Sequence, residues 1–354
     1  MSRDVAIPRR AASVLPVEAV RSSVTRIAWL EETTVGHLPR EQWATGDYVV
    51  AEVALEAGRP ADIETATGRM ADVIAGDVIV GALGVRSATL EAVGDWRATG
   101  DDLRLDALTR AGVIGRATSV TPFSRAHVVP LRYRGHVLVD GAKACMHDFV
   151  LPVAPRPLTA PVVLVIGTSM SAGKTTTVIT IIRRLRRMGL TVAGSKVTGV
   201  ARYREILGMA DAGAGPVADF VDAGLPSTIC PPAEYRVALD HLLSRLAEGE
   251  PDVVVVECGS SPLEPYNVDL AVEVLRPHVR CTVLCASDPY AVLGVAEAFD
   301  ATPDLIAGRA TSTTAGIELV ERLSGGVRGL DLLGADAHAA LDALLVDRLG
   351  LVRR

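Results

Sequence analysis

The sequence predicts an α/β fold: a doubly wound, mostly parallel sheet over residues 161–354, preceded by a smaller β-rich domain. Three observations carry this reading. Up to about residue 150 the chain is a series of short β-like runs broken by turn dipeptides. After Pro161, strand-like runs alternate with helical ones, as the right-handed crossovers of a parallel sheet require. The first of these later strands, Val162–Ile166, opens through a loop of small residues straight into a helix.

Residues 1–23 lack periodicity and are expected to form a flexible arm. In residues 24–150, strands are expected at Tyr48–Leu55, Asp77–Leu83, Ala88–Ala92, Gly112–Thr121 and His127–Tyr133. Gly46-Asp47, Gly76-Asp77, Gly94-Asp95 and Gly100-Asp101 supply turns between them, and Arg134-Gly-His136 reads as a hairpin turn. Ile63–Met70 is the one short helix candidate. The pattern fits a barrel or sandwich. Pro152, Pro155, Pro157 and Pro161 punctuate residues 151–160 as a linker.

In residues 161–354, strands are expected at Val162–Ile166, Thr191–Val197, Ser227–Cys230, Asp252–Cys258, Cys281–Ala286 and Asp304–Ala307. Helices are expected at Thr175–Met188, Ala233–Ala247, Val268–Leu275, Pro289–Phe299, Thr314–Leu323 and Ala335–Leu349.

Gly167-Thr-Ser-Met-Ser-Ala-Gly-Lys-Thr-Thr176 carries the clearest chemistry. The small residues Gly167, Thr168, Ser169, Met170, Ser171, Ala172 and Gly173 allow successive backbone N–H groups to turn around an anion, and the following helix aims its positive end at the same point. Lys174, expected to face solvent in the empty loop, would reach outer phosphates, and the Thr175 hydroxyl would ligate Mg²⁺, with Thr176 beside it. Five residues rather than the usual four separate Gly167 from Gly173, an expanded Walker A loop. A plain glycine-rich strand–helix turn explains the glycines but not the Gly-Lys-Thr-Thr run. Glu257 ends the buried strand Asp252–Cys258 at the carboxyl edge of the sheet, where it can hold the metal with Thr175. An acid merely capping a neighbouring helix is the alternative. Lys196 ends the strand after the loop's helix and would stabilise a transferring phosphoryl group or grip an anionic substrate. Arg202 and Arg204 read as a carboxylate clamp and Asp211 as a direct or indirect metal contact, with solvated helix charges the alternative for all three, and Ser260 as part of a polar substrate loop. The run Cys285–Ala291 is placed beside a nucleotide base. With no Asn-Lys-x-Asp guanine reader, ATP is the expected nucleotide, with Mg²⁺.

The motif resembles the dethiobiotin-synthetase-like branch of P-loop enzymes. They share the one-residue expansion seen in Gly167-Thr168…Gly173-Lys174-Thr175, a lysine ending the next strand (Lys196) and an acid on a later strand (Glu257). Lys196-Val-Thr-Gly, Ala218–Gly224, Val256–Gly259 and Thr313–Val320 are similar to the DUF1611 group of P-loop proteins, some described as D-glutamate N-acetyltransferases. The likeness spans roughly residues 160–330, and the β-rich N-terminal half departs from that group's α/β N-terminal domain. Position 169 is Ser, not the signature lysine of the partition-type ATPases.

Composition narrows the class further. A net charge of −6 gives no reason to expect nucleic acid, and no apolar run approaches the roughly 18 residues of a membrane span. The N-terminus has no hydrophobic signal core, and the five cysteines contain no Cys-x-x-Cys pair, so a cytoplasmic protein with free buried thiols is expected. Only three lysines (Lys143, Lys174, Lys196) occur among 36 basic residues, and two fall in the phosphate-binding half. The resulting expectation is an ATP- and Mg²⁺-dependent phosphoryl-transfer enzyme, a homo-oligomer, acting on a small carboxylate-bearing metabolite as a kinase or as a ligase through an acyl phosphate. An N-acyltransferase holding coenzyme A phosphates in the loop, or a non-catalytic nucleotide switch, are the alternatives.

Overall fold

The computed structural model describes residues 13–28, 33–56, 61–122, 128–259, 261–299 and 302–351. The N-terminal half contains strands β1 (Ser13–Val14), β2 (Val20–Arg21), β3 (Thr34–Gly36), β4 (Tyr48–Val53), β5 (Ala61–Glu64), β6 (Met70–Val73) and β7 (Val78–Leu83). It continues with β8 (Val85–Ser87), β9 (Ala92–Asp95), β10 (Arg104–Ala107), β11 (Val113–Val120), β12 (Val129–Val139) and β13 (Ala142–Lys143). Strand β4 pairs with β12 and β7, β7 pairs with β11, and β10 joins β11 back to β12. Five strands thereby close into a barrel, which leaves them no free edge. Alternating residues fill it: Val49, Ala51 and Val53 of β4 share one buried cluster with Val129, Leu131 and Tyr133 of β12, together with Ile79, Leu105 and Ile114.

Several expectations are corrected here. From residue 13 the chain is no arm: β1 pairs with β3, β2 pairs with β7, and Ser23–Thr25 is a buried 3₁₀ turn. Leu15 and Val24 are apolar enough to join the core, and the Ser22 hydroxyl donates to the Val80 carbonyl at 2.6 Å. Residues 1–12, and His127 at the start of an expected strand, lie outside the described ones. Ile63–Met70 is not helical but the β5–β6 hairpin, turned at Gly68 (φ +82°). Ala88–Ala92 is mostly the turn joining β8 to β9. Arg134-Gly-His136 lies inside β12, where the pairing with β4 shifts register at a bulge; at Gly135 (φ +155°) an added Cβ would come 2.6 Å from Val35, so the position takes a glycine. The hairpin turn comes later, at Asp140-Gly141, both with positive φ.

The C-terminal half runs β14 (Val162–Gly167), α1 (Lys174–Arg187), β15 (Val192–Thr198), α2 (Tyr203–Asp211), β16 (Val217–Asp219), α3 (Pro232–Ala247) and β17 (Val253–Cys258). It ends with α4 (Val268–Leu275), β18 (Val279–Cys285), α5 (Ala291–Phe299), β19 (Leu305–Ala307), α6 (Thr314–Leu323) and α7 (Ala337–Leu349). Its six strands are ordered β16-β15-β17-β14-β18-β19 and every pair is parallel. Strand periodicity divides the apolar residues between two layers. Val163, Val165 and Val255 pack with α1, α2 and α7, while Leu164, Ile166, Val254 and Val256 pack with α3 and α4. Helix starts follow local chemistry: Pro232 occupies the first turn of α3, and the Thr313 hydroxyl accepts from Gly316 N at the start of α6. Ser227–Cys230 is not a strand. Its Thr228 instead bonds Gly199 and Tyr266 in a buried turn, and β16 takes the sheet edge.

The two halves share one hydrophobic core. Leu15, Val24, Tyr48 and Met146 lie in the same buried cluster as Leu164, Phe220 and Val221, and the linker residues Leu158 and Ala160 are buried in it as well. The Arg26 guanidinium of the barrel domain pairs with Asp219 at 2.7 Å and Asp222 at 2.9 Å. All five cysteines are free. Among the described residues, no helix is long and apolar enough to cross a membrane.

Candidate functional site

Sheet register builds the centre of the site. Val165 of β14 pairs with Glu257 of β17, Glu257 with Lys196 of β15, and Lys196 with Asp219 of β16. A parallel sheet thus sets Glu257 and Lys196 side by side at its carboxyl end, where the loop after β14 also begins.

That loop is held by close backbone packing. Gly173 (φ +106°) precedes α1, and an added Cβ there would come 3.0 Å from Gly308 Cα. Gly308 (φ +90°) is equally confined, since its own Cβ would come 2.2 Å from the Ala172 carbonyl oxygen. The Arg309 N–H donates to the same carbonyl at 3.2 Å. On the other flank, Thr168 Oγ1 lies 3.1 Å from Ser287 Oγ and accepts from Ser287 N at 3.0 Å, so the segment after β18 borders the loop.

Lys174 is buried, contrary to the expectation of a solvent-facing lysine. Its ammonium donates to the Ser169 carbonyl at 2.7 Å. Its stem runs over Gly167, where a Cβ would come 2.7 Å from Lys174 Cδ.

Thr175 Oγ1 donates to Glu257 Oε1 at 3.4 Å, and Glu257 Oε2 is buried without a hydrogen-bond partner. Burial, and then the neighbouring Glu205 carboxylate, push Glu257 up to about 7 against the pull of Lys196, Lys174 and the Thr175 hydroxyl. A buried carboxylate with an orphaned oxygen beside a hydroxyl is a donor set that suits a hard divalent cation. Lys196 donates to the Val200 carbonyl at 2.9 Å and to Glu205 at 2.5 Å. Burial works against its charge, but Glu205 and Glu257 hold its pKa above the ordinary lysine value. Gly199 and Gly259 make room for it, since Cβ atoms there would come 3.1 and 2.9 Å from Lys196 Cε.

Lys174, Thr175, Lys196, Arg202, Arg204 and Glu257 all line one cavity of about 660 Å³, together with Met170, Ser171 and Thr176. Arg202 immediately precedes α2 and Arg204 lies in its first turn; among the described residues neither forms a salt bridge. Asp211 lines the cavity from the far end of α2. Thr168, Ser169 and Ala172 are not in the lining and act on the loop's shape instead. Ser260 lies outside the described residues. Further along that loop, Glu264 accepts from Thr89 N at 3.0 Å, and the Tyr266 hydroxyl accepts from Ser87 N at 2.9 Å, tying the loop to the barrel domain.

Sequence reasoning missed three contributors. Glu205 stands directly after Arg204, and nothing in the local sequence sets it apart from its neighbouring charges. Gly68 and Glu91 come from the barrel domain and complete the cavity wall. Glu91 forms an ion pair with Arg86, and nothing local in the sequence links it to the loop.

No family model matches the chain, and no curated protein matches it. Solved structures give distant likenesses. The signal recognition particle receptor FtsY of Elizabethkingia anophelis in complex with GDP is 16% identical, with TM-score 0.33, covering 47% of this chain and 54% of that one. The 54 kDa signal recognition particle protein of Aeropyrum pernix K1 in complex with GDP is 20% identical, with TM-score 0.33, covering 55% and 50%. FlhF complexed with GMPPNP and Mg²⁺ is 17% identical, with TM-score 0.32, covering 52% and 70%. The chain thus spans about half the length of the first two of these proteins.

Proposed function

We propose that the cavity binds a nucleoside triphosphate with Mg²⁺, and that the protein transfers a phosphoryl group from ATP to a small carboxylate-bearing metabolite. The observation that carries this reading is the buried Glu257, with one oxygen at the Thr175 hydroxyl and the other unpartnered, beside a lysine held inside a glycine-rich loop. Thr175 and Glu257 would hold the cation, which when bound neutralises charge on the outer phosphates.

The chain's own residues supply the rest. Lys174 exchanges the Ser169 carbonyl for phosphate oxygen, and the loop amides bind the remaining oxygens. Lys196, already desolvated, faces the transferring group with a preorganised charge. The forked guanidinium groups of Arg202 and Arg204 orient the carboxylate. A carboxylate oxygen then attacks the terminal phosphorus while the bond to the bridging oxygen breaks, leaving ADP. The acyl phosphate so formed is either released as the product or attacked at its carbonyl carbon by an amine, which loses a proton and expels phosphate to leave an amide.

The test is ³¹P NMR of the protein with MgATP and a panel of small mono- and dicarboxylates, with and without an amine. ADP formation that depends on one carboxylate is expected. Acylation of an amine by acetyl-CoA without ATP would replace this reading with an N-acyltransferase, and turnover of MgGTP alone would replace it with a GTPase.

A further inference from the structure

Helix α2 carries much of the cavity wall, yet the residue at its N-cap position, Arg202, has no side-chain acceptor to offer its first N–H groups. The barrel domain supplies one. Glu64, at the end of β5 and 1% exposed, accepts from Tyr203 N at 2.8 Å and from Arg204 N at 2.9 Å, one bond to each carboxylate oxygen. Ser23 Oγ also donates to it at 2.5 Å. Among the described residues Glu64 forms no salt bridge, so its buried carboxyl oxygens are met by the helix amides and that hydroxyl. A bond across about 140 residues of sequence therefore seats the turn that carries Arg202, Arg204 and Glu205.

Two further contacts tie the same helix to the same domain. The hairpin turn at Gly68 rides on α2, where an added Cβ would come 2.2 Å from Leu207 Cδ1. The Arg26 guanidinium lies 4.6 Å from the centre of the Tyr203 ring while it pairs with Asp219, the register partner of Lys196. A shift of α2 would strip Glu64 of two of its three donors inside the protein, which is costly for a buried carboxyl group.

We propose that Glu64 is a positioning residue: it seats the start of α2 for the cavity, and it transmits occupancy of the phosphate cleft to the barrel hairpin of residues 61–73. This rests on the nucleotide-binding reading above. The hairpin then serves as the part of the barrel domain that responds to what the other domain binds.

Hydrogen exchange followed by mass spectrometry tests it, using the full chain with and without saturating MgATP. In the wild type, MgATP is expected to slow exchange in residues 167–177 and also in residues 61–73, the latter by roughly 5-fold or more, the low end of ordinary coupling factors. In Glu64→Gln, slowing at residues 167–177 persists while the ratio of empty to bound rates at residues 61–73 falls to about one. A purely structural Glu64 would raise exchange in the empty and bound variant alike and leave that ratio at the wild-type value, which overturns the proposal. Ser23→Ala removes a bond to Glu64 but not the link to α2, and keeps the response. Should Glu64→Gln not fold, the wild type alone decides: protection at residues 167–177 with no change at residues 61–73 refutes the coupling. Absence of protection at residues 167–177 refutes the nucleotide reading instead.

Discussion

Replacing Lys174 with alanine separates the loop's own order from its ligand. In the empty protein the substitution removes one buried bond, from the ammonium to the Ser169 carbonyl at 2.7 Å, and leaves the Gly173–Gly308 packing intact. A hydrogen bond from a charged donor is worth about 1.5–3 kcal/mol. At about 2–4 °C per kcal/mol, the empty variant should melt about 3–12 °C lower, toward the small end in a chain of this size. With ligand at 100 times its dissociation constant, the wild type gains about 2.7 kcal/mol. If loss of the ammonium weakens binding about 100-fold, the same ligand concentration stabilises the variant by only about 0.4 kcal/mol. Differential scanning fluorimetry with MgATP reads both quantities. Equal ligand-induced shifts in the two proteins would refute the loop as the phosphate site, and an unchanged melting temperature of the empty variant would refute the role of the Ser169 contact.

Glu257→Gln should leave the empty protein as stable as the wild type or more so, because burial already disfavours that charge; nucleotide should still bind, with little response to Mg²⁺, and turnover should fall by orders of magnitude. Wild-type turnover in that variant would make Glu257 structural. Arg26→Met strands the fully buried Asp219 and should cost about 3–5 kcal/mol in urea unfolding; a loss under about 1 kcal/mol would mean that this pair does not tie the domains. His136 is buried, 2.6 Å from the Tyr133 hydroxyl and 3.5 Å from Asp47, and burial lowers its pKa below the ordinary 6.5 despite Asp47. The unfolded chain therefore takes up a proton first as pH falls, so stability should be lost progressively below about pH 6.5 and level off above it. Urea midpoints for His136→Gln should depend less on pH in that window, and an identical slope would contradict the assignment.

The α/β half was legible because its signals are local. Buried parallel strands read as unbroken runs such as Val253–Val256, and helices α4 and α6 begin and end at the expected residues. The barrel was less legible because its turns and bulges depend on distant neighbours. Gly135 sits at a bulge in the middle of a long strand, and its need for a bare backbone comes from Val35, which lies against it and is far away in sequence. Ser227–Cys230 has strand-like composition, but Thr228 finds better partners in Gly199 and Tyr266. In the site, Lys174, Thr175, Lys196 and Glu257 were readable because Lys174 and Thr175 follow a marked loop and Lys196 and Glu257 lie near the ends of marked strands. Glu64 and Glu91 were not, since their roles arise from packing between domains. The burial of Lys174 was also unreadable, because it depends on the Ser169 carbonyl turning toward it.

Isothermal titration calorimetry of the wild-type protein with MgATP, MgGTP, adenosine and guanosine tests the central claim most directly. A cavity built around phosphate should bind at least one triphosphate with Mg²⁺ and its nucleoside at least about 100-fold more weakly, a difference of about 2.7 kcal/mol. Equal affinity for nucleoside and triphosphate, or no binding of either triphosphate, would contradict it.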